Sequence, residues 1–392
     1  MANYSLASST WDDEEIQAIQ TVIESGRFTM GNQVIEFEER FSEKMGSEFS
    51  VMVNSGSSAN LALLAACRYR KEPLMKPGDE VLVPAVSWST TYYPVTQLGF
   101  TLKFVDIDPN SLNIDIKKVE AAIGPKTKAI FAVNLLGNVA DWISLREIAL
   151  EHDFILLEDN AESLGATLGG QQAGTFGIGG TFSSFFSHHI STMEGGLITT
   201  NDEPLFHALR SLRAHGWTRD LPSTNHVFNK TGDGWDDLYR FVLPGYNLRP
   251  LEIEAAIGKV QLTKLDSFIK VRRSNAERFL KSMSELEGYR VQTENGESSW
   301  FGFSIVLEGR LKGHRRALVE ELTRAGIDSR PIVTGNFTRN PVISLLEHAP
   351  IGPLPVADEI HEEGLFVGNH HYDLSNEFDL LFNTLSDFKR RF

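Results

Sequence analysis

The chain has 392 residues, 41% of them hydrophobic, and a formal net charge of −15. This length corresponds to roughly two to three domains with enough apolar residues to fill a core. The acidic balance argues against a nucleic-acid partner, because phosphate backbones attract basic surfaces. The sequence does not begin with a basic stretch followed by an apolar one, as a signal peptide would. No apolar run reaches the ~20 residues of a membrane span. We therefore expect a cytoplasmic protein with no membrane partner.

Cys67 is the only cysteine. One cysteine allows no internal disulfide and cannot supply the several thiolates that hold an iron-sulfur cluster. The sequence thus predicts no iron-sulfur cofactor.

Residues 10–25 predict an amphipathic leading helix. Ile16, Ile19, Val22 and Ile23 fall on one helical face. Thr10 and Asp13 have the spacing of a capping box, so we expect the helix to begin there.

Between residues 49 and about 200, short β-rich runs alternate with helix-length segments or turns. Several runs are apolar without alternation, as expected of strands buried on both faces. The pattern predicts an α/β fold with a mostly parallel central sheet covered by helices. The runs are FSVMV, EVLVPA, LKFVDI, AIFAVNLL, FILLED, TFSSFF and GLITT.

Pro244, Gly245 and Pro250 interrupt this alternation. A long helical stretch from 251 to about 286 follows, then the strand-like WFGFSIVLEG, a helix near 314–325 and a helical C-terminus. We predict a large domain over 1–250 and a smaller C-terminal α+β domain over 251–392.

Three short segments follow predicted strands and could hold a ligand. Asn54 to Ser58 opens a helix, where free amides and the helix dipole favour phosphate, although an ordinary helix cap explains the same residues. Trp88 could stack on a planar ring or simply pack in a loop. Glu158 and Asp159 end the strand FILL, where a carboxylate could pair with a protonated ring nitrogen, cap a helix or bind metal. No paired His/Asp spacing accompanies them, so no metal site is predicted.

The segment TFSSFFSHHISTMEGG carries two hydroxyl groups after a strand and then His188 and His189 before a turn of small residues. Adjacent side chains diverge, so the two histidines are poorly placed to chelate one metal. On its own, such a pair is more often a structural or surface feature than a catalytic one.

Taken in order, these segments resemble the fold-type I pyridoxal-phosphate enzymes, in particular the DegT/DnrJ/StrS-like sugar aminotransferases. The similarity runs through residues 28–31, 55–60, 158–162 and 245–249, and covers nearly the whole chain. In that family, a lysine ahead of the Glu-Gly-Gly motif bonds covalently to the cofactor. Counting back from Glu194-Gly195-Gly196 places His188 at the position of this lysine.

Residues 85–94, 184–196, 213–222 and 296–304 are similar to a branch of the family that removes the 3-hydroxyl of GDP-4-keto-6-deoxy-D-mannose. The resemblance implies non-covalently held pyridoxal 5′-phosphate or pyridoxamine 5′-phosphate, L-glutamate as amino donor, release of ammonia, and a homodimer. An imidazole with a pKa near 6.5 suits the proton transfers that such a reaction needs.

The resemblance also assigns the remaining roles. It implies His188 as the catalytic residue, Gly56, Ser57 and Ser183 at the cofactor phosphate, Trp88 over the ring face, Asp159 at the ring nitrogen and Glu162 near the ring. Asn247 matches a position that reaches the phosphate of the neighbouring subunit in relatives. Candidates for glutamate or sugar contacts are His215, Arg219 and Arg330, since arginine binds carboxylates by two parallel hydrogen bonds, although surface ion pairing explains arginines as well.

Three other hypotheses remain. A nucleotide-sugar 4-aminotransferase with a relocated lysine is disfavoured, because no lysine occurs between Gly165 and Asn229. A dehydratase of the iron-sulfur type, acting on a CDP-sugar, is disfavoured by the single cysteine. A catalytically inactive relative that only binds cofactor or nucleotide sugar fits the loss of the lysine, but not the retention of Asp159, Ser183 and Trp88.

Overall fold

The computed structural model describes residues 4–392, so the first three residues of the predicted large domain lie outside the described chain. None of the helices within this part combines the length and apolar character that crossing a membrane requires. The α-helices are α1 Asp13–Ser25, α2 Asn32–Met45, α3 Gly56–Tyr69, α4 Ser89–Gln97, α5 Ile116–Ala122, α6 Trp142–His152, α7 Glu203–Arg213, α8 Gly234–Leu238, α9 Glu252–Met283, α10 Arg315–Arg324, α11 Pro355–Glu363 and α12 Ser375–Lys389.

A seven-stranded sheet forms the centre of the fold, with strand order β1-β9-β8-β5-β4-β2-β3. Its strands β8, β5, β4, β2 and β3 pair in parallel, and β9 is antiparallel to both of its neighbours. The prediction of an α/β fold with a mostly parallel sheet is therefore confirmed. The strands are β1 Phe49–Val53, β2 Glu80–Pro84, β3 Thr101–Val105, β4 Thr127–Val133, β5 Ile155–Asp159, β6 Thr167–Leu168, β7 Gln171–Gln172, β8 Gly179–Ser183, β9 Gly196–Thr200, β10 Tyr289–Arg290, β11 Gly302–Leu307 and β12 Gly364–Gly368.

Helix α3 lies between the sheet and α7. The residues of α3 from Ala59 to Cys67 are buried except Leu61. Most of them are alanine or leucine, so the helix presents small and aliphatic side chains on nearly all sides. A helix that is apolar around most of its circumference can be stable only when both faces are covered. This packing fixes the N-terminus of α3 at the carboxyl edge of the sheet.

Helix α9 joins the two predicted domains. Its first half packs on α1 and α2, with Ala255 and Leu265 in one core cluster, whereas Phe279 packs with the second sheet, β10-β11-β12. The side chain of Glu252 accepts hydrogen bonds from the backbone N–H groups of Gly31, Gln33 and Val34 at 2.8, 3.0 and 3.1 Å. The carboxylate thereby satisfies free amides at the start of α2. The division of the chain at residue 250 stays a prediction.

The predicted start of the leading helix is wrong. Helix α1 begins at Asp13, and its capping box consists of Asp12 and Glu15 rather than Thr10 and Asp13. Thr10 instead donates to Gln261 of α9 at 2.6 Å. A hydroxyl that finds a buried tertiary partner is no longer available to cap its own helix, and the sequence alone does not show that competition.

Candidate active site

A cavity of about 360 Å³ opens at the carboxyl edge of the central sheet. Its volume lies at the lower end of the ~300–1,000 Å³ typical of small-molecule sites. Most of the lining residues follow β1, β2, β4, β5 or β8, the strand ends that meet at this edge. The lining consists of Ser55, Gly56, Ser57, Asn60, Ser87, Trp88, Thr90, Val133, Leu135, Asp159, Ala161, Glu162, Ser183, Phe185, Ser187, His188, Glu194, Phe301, Arg330, Val333 and Phe366.

One corner of the cavity is built by the N-terminus of α3. Ser55 caps this helix by accepting from the N–H of Ser58 at 3.1 Å, while the Ser57 hydroxyl donates to Thr90 at 3.1 Å. A Cβ on Gly56 would lie 2.6 Å from the Cβ of Ser183, so only glycine allows this close approach. The first amides of a helix carry partial positive charge and suit a phosphate.

Asp159 lies buried at the floor of the cavity, where its carboxylate is fixed by three donors. Asn60 Nδ2 and Thr91 Oγ1 donate to Oδ2 at 2.9 and 2.8 Å, and the N–H of Ala161 donates to Oδ1 at 3.1 Å. Burial raises the pKa of Asp159, and the three hydrogen bonds counteract that rise. Because Oδ1 accepts only one of these bonds, it has capacity for a further donor.

The two glutamates of this segment have different surroundings. Glu158 points away from the cavity and accepts from the N–H groups of Gly174 and Gly177 at 2.6 and 2.7 Å, which gives it a structural role. Glu162 lines the cavity and accepts from the N–H of Leu136 at 2.9 Å. Burial raises the pKa of each carboxyl to about 7.

The loop between β8 and β9 carries the two histidines, and its backbone is closely constrained. Gly195 has φ 149°, and a Cβ on Gly196 would meet the carbonyl oxygen of Ser55 at 2.3 Å. Across the loop, the N–H of Ser184 donates to Gly195 O at 3.0 Å and the N–H of Thr192 donates to Ser184 O at 2.8 Å. The Glu-Gly-Gly sequence thus closes the loop against the turn that begins α3.

His188 presents its imidazole to the cavity. Its Nδ1 is buried and without a hydrogen-bond partner among the described residues, and its ring lies 5.3 Å from that of Phe301. Burial, followed by the charge of Arg272, lowers the pKa of His188 from 6.5 to about 3. The imidazole is therefore neutral in the cofactor-free protein over the whole range near neutral pH, which is the state of a proton acceptor.

Arg272 is a buried cation behind the two histidines. It donates to the carbonyl oxygens of Phe301 and Asn369 at 3.2 and 2.8 Å and has no carboxylate partner among residues 4–392. His189 turns away from the cavity, with its Nε2 at 3.1 Å from Ser299 O. Adjacent histidines thus face different surroundings, and only His188 reaches the cavity.

These residues fit a phosphorylated pyridine cofactor. The corner at Gly56 offers helix-terminal amides that a side chain would obstruct, and Asp159 offers a fixed carboxylate with free accepting capacity. The exposed ring of Trp88 stands in the wall of the same cavity. No lysine is part of the cavity lining within the described chain, so a covalent link to the cofactor has no amine to form it.

The structure brings most of the predicted site residues together. Gly56, Ser57, Trp88, Asp159, Glu162, Ser183, His188 and Arg330 all line the one cavity. Arg330 is exposed and has no ion-pair partner among the described residues.

His215, Arg219 and Asn247 lie outside the cavity lining and form a separate group around Trp217. The Arg219 guanidinium stands 4.6 Å from the centre of the Trp217 ring, and the His215 ring lies 5.0 Å from it. Asn247 pairs with Ala214 in a β-bridge, next to His215. Within one chain, these three residues do not contribute to the site.

Sequence reasoning missed Asn60 and Thr91, which hold Asp159. Asn60 follows Gly56 by one helical turn and therefore faces the same side of α3, a spacing that could have indicated it. Thr91 belongs to α4, and its contact with Asp159 depends on the pairing of β2 with β4 and of β4 with β5. Phe301 and Phe366 come from the C-terminal part of the chain, and no local signal in the sequence places them here.

Comparisons with known proteins agree with this architecture. The DegT/DnrJ/EryC1/StrS aminotransferase family matches residues 9–378. GDP-4-keto-6-deoxy-D-mannose 3-dehydratase of Yersinia pseudotuberculosis is 53% identical over 387 residues, covering 98% of each protein. Two solved structures of GDP-4-keto-6-deoxymannose-3-dehydratase, each 52% identical with a TM-score of 0.96, cover 98% of this chain and 100% of their own. One is an H188N mutant with bound GDP-perosamine, and the other holds a trapped PLP-glutamate geminal diamine.

The family match spans nearly the whole chain, and the fold and the residues at the carboxyl edge of the sheet agree with it. The chain therefore belongs to the DegT/DnrJ/EryC1/StrS aminotransferase family.

Proposed function

We propose that the protein is a pyridoxamine phosphate-dependent nucleotide-sugar 3-dehydratase. It removes the 3-hydroxyl group of GDP-4-keto-6-deoxy-D-mannose and yields GDP-4-keto-3,6-dideoxy-D-mannose. L-Glutamate recharges the cofactor and becomes 2-oxoglutarate, and ammonia is released. The identity of the nucleotide follows from the related dehydratases.

The observation that carries this proposal is His188 in a cavity without lysine. An aminotransferase of this family needs an amine on this loop to regenerate its resting state, whereas imidazole forms no such stable bond. Everything around the histidine remains suited to cofactor binding, including Asp159 with its three donors. This combination favours altered chemistry over an inactive relative.

When bound, the cofactor supplies an electron sink that stabilises negative charge next to the reacting carbon. Asp159 would hold the protonated ring nitrogen, and Asn60 and Thr91 keep its carboxylate in place. An adjacent positive charge would lower the pKa of Asp159, against the rise that burial causes. The amides of Gly56 and Ser57, with the Ser183 hydroxyl, would bind the phosphate.

His188 would perform the proton transfers. As a neutral imidazole, it can take the proton from the 4′ carbon of the cofactor and then return a proton to the departing 3-hydroxyl oxygen of the sugar. Hydroxide is a poor leaving group, so protonation at that oxygen lowers the barrier, and positioned acid–base groups typically contribute about 10²–10⁴-fold. Phe185 and Phe301 beside the imidazole limit the access of water to it.

Arg330 would bind a carboxylate of glutamate. Its guanidinium lines the cavity, where it can form two parallel hydrogen bonds to a carboxylate.

Because glutamate is needed in every cycle, we further propose that the enzyme works in the cytoplasm, where amino acids and nucleotide sugars are made.

The protein would act as a homodimer in which Asn247 completes the phosphate site of the neighbouring subunit. Two features support this arrangement. The group formed by His215, Arg219 and Asn247 lies outside its own cavity, and large apolar side chains are exposed on α1, α8 and the adjoining segments. They include Ile16, Ile23, Phe28, Ile35, Trp235, Tyr239, Phe241 and Leu251. Contiguous exposed apolar surface is typical of an interface, and the proposed dimer would cover these side chains.

The reaction is tested by supplying GDP-4-keto-6-deoxymannose, pyridoxal phosphate and glutamate and measuring ammonia, 2-oxoglutarate and the mass of the sugar. We expect a 3-deoxy sugar and one ammonia for each 2-oxoglutarate. An amino sugar without free ammonia would restore the aminotransferase hypothesis, and no keto acid would refute the role of glutamate. His188→Asn should abolish turnover while pyridoxal phosphate still binds.

Subunit mixing tests the role of Asn247. His188→Asn and Asn247→Asp homodimers should both be inactive, the second because a carboxylate repels the phosphate. A random mixture should recover about a quarter of wild-type activity, because half of the dimers carry one intact site of two. No recovery in dimers shown by mass to be mixed would mean that Asn247 acts at the site of its own subunit, and would overturn the shared-site arrangement.

A further inference from the structure

Helix α7 and the loop that follows it bring together three potential metal ligands outside the cofactor cavity. Glu203 and His207 lie one helical turn apart and therefore on the same face of α7. His226 comes from the loop, and its Nε2 lies 3.1 Å from Oε2 of Glu203. Ligand atoms of all three residues lie within 4.8 Å of one another. None of the three lines the cofactor cavity.

The loop holds His226 in this position by bonds of its own. Asn225 Oδ1 accepts from the N–H groups of Val227 and Phe228, both at 2.9 Å, and its Nδ2 donates to Pro222 O at 3.0 Å. These bonds form a tight turn on both sides of His226. The backbone at His226 is thus ordered before any ion binds, and the imidazole already contacts Glu203, which reduces the ordering that binding would require.

His207 is available as a ligand. It is 3% exposed, and its only hydrogen bond among the described residues is a long contact of 3.4 Å from the N–H of His226 to Nδ1. Its ring stacks on that of His226 with centroids 5.6 Å apart. Burial lowers the pKa of His207, Glu203 acts against this shift, and His226 and Arg210 add to it. A neutral imidazole is the form that binds metal.

We propose that Glu203, His207 and His226 form a binding site for one divalent transition-metal ion, with Zn²⁺ as the best match, which fastens the loop to α7. Two imidazoles and one carboxylate are a common zinc set and leave the fourth position to water. Mg²⁺ and Ca²⁺ fit poorly because they prefer oxygen ligands. Glu203 and His207 are close in sequence, with Glu-x-x-x-His spacing, whereas His226 reaches them only through the fold.

Zinc titration of the tag-free, full-length protein tests the proposal. The protein is stripped of metal by a chelator, saturated with pyridoxal phosphate so that the cofactor site is filled, and titrated with Zn²⁺ by calorimetry. We expect one ion per chain. His226→Asn and Glu203→Gln should each weaken binding at least about tenfold, because losing even an outer-shell partner costs ~10–100-fold. Both side chains are exposed, so these variants should fold.

A matched control is His152→Asn, an exposed histidine at the end of α6, which should leave zinc binding unchanged. Bound Co²⁺ gives a second readout, with visible absorption bands of a four-coordinate ion in the wild type and their loss in His226→Asn. Zinc binding that is equally tight in His226→Asn and Glu203→Gln would overturn the proposal. So would the absence of binding by the wild type, which would reduce the group to a surface ion pair.

Discussion

Replacing His188 by asparagine should make the cofactor-free protein less sensitive to acid. The pKa of His188 is lowered from 6.5 to about 3 by burial and by Arg272, so the unfolded chain binds this proton well before the folded protein does. This protonation does not affect the free energy of unfolding well above pH 6.5. The free energy of unfolding then decreases as the pH falls from 6.5 toward 3. Between pH 7 and pH 5 the loss amounts to about 2 kcal/mol from this one residue. Because the side chain borders an open cavity, this is an upper value.

Urea unfolding at pH 7, 6 and 5 measures the effect. The wild type should lose about 2 kcal/mol more between pH 7 and pH 5 than His188→Asn, whatever the difference between the two proteins at pH 7. Phe186→Leu, a change at an exposed and non-titrating side chain of the same loop, should keep the wild-type pH dependence. Equal pH dependence in wild type and His188→Asn would show that the imidazole is not held neutral. A His188 NMR resonance that titrates near pH 6.5 would show the same.

Three further predictions concern the site and its frame. Asp159→Asn should lower turnover, measured as ammonia release, by about 10–100-fold, because a hydrogen bond to a charged group contributes ~1.5–3 kcal/mol. Unchanged turnover would contradict the pairing of Asp159 with the ring nitrogen. Gly56→Ala should weaken pyridoxal phosphate binding and lower the free energy of unfolding by about 1–3 kcal/mol, because the new Cβ would lie 2.6 Å from Ser183. The control Gly352→Ala, where a Cβ meets open space, should change the free energy of unfolding by no more than about 0.5 kcal/mol. Glu252→Gln should lower the free energy of unfolding in urea by about 1.5–3 kcal/mol, because three amides lose their charged acceptor. An unchanged free energy of unfolding would show that water replaces the carboxylate equally well.

The predictions that depended on local pattern agree best with the structure. The run FSVMV is β1 from end to end, and the apolar strand FILLED is β5 without its first residue. The long helix predicted over 251–286 is α9, Glu252–Met283. β1 and β5 are short, largely buried runs. Helix α9 is a long run without proline, in which Gly258 is the only glycine. In such segments the local sequence is enough to indicate strand or helix.

Features that depend on distant partners could not be predicted in the same way. Thr10 has the residue type of a helix cap, and only the position of Gln261 shows why Asp12 caps α1 instead. The role of Thr91 requires the sheet order to be known, because two strands, β3 and β4, lie between Thr91 and the strand that ends at Asp159. His188 lies in the loop between β8 and β9, but Phe301, whose ring packs beside its imidazole, is remote in sequence.

The loop between β8 and β9 keeps its shape through contacts that do not involve the side chain at position 188. Gly196 packs against Ser55, and Gly195 packs against Ser184 and Thr192. Backbone bonds between Ser184, Thr192 and Gly195 cross the loop. A different residue can therefore occupy position 188 without rebuilding the surrounding backbone. In such a loop, a substitution at one position can exchange an amine for an imidazole and change the product of the reaction. The residues that bind the cofactor stay the same.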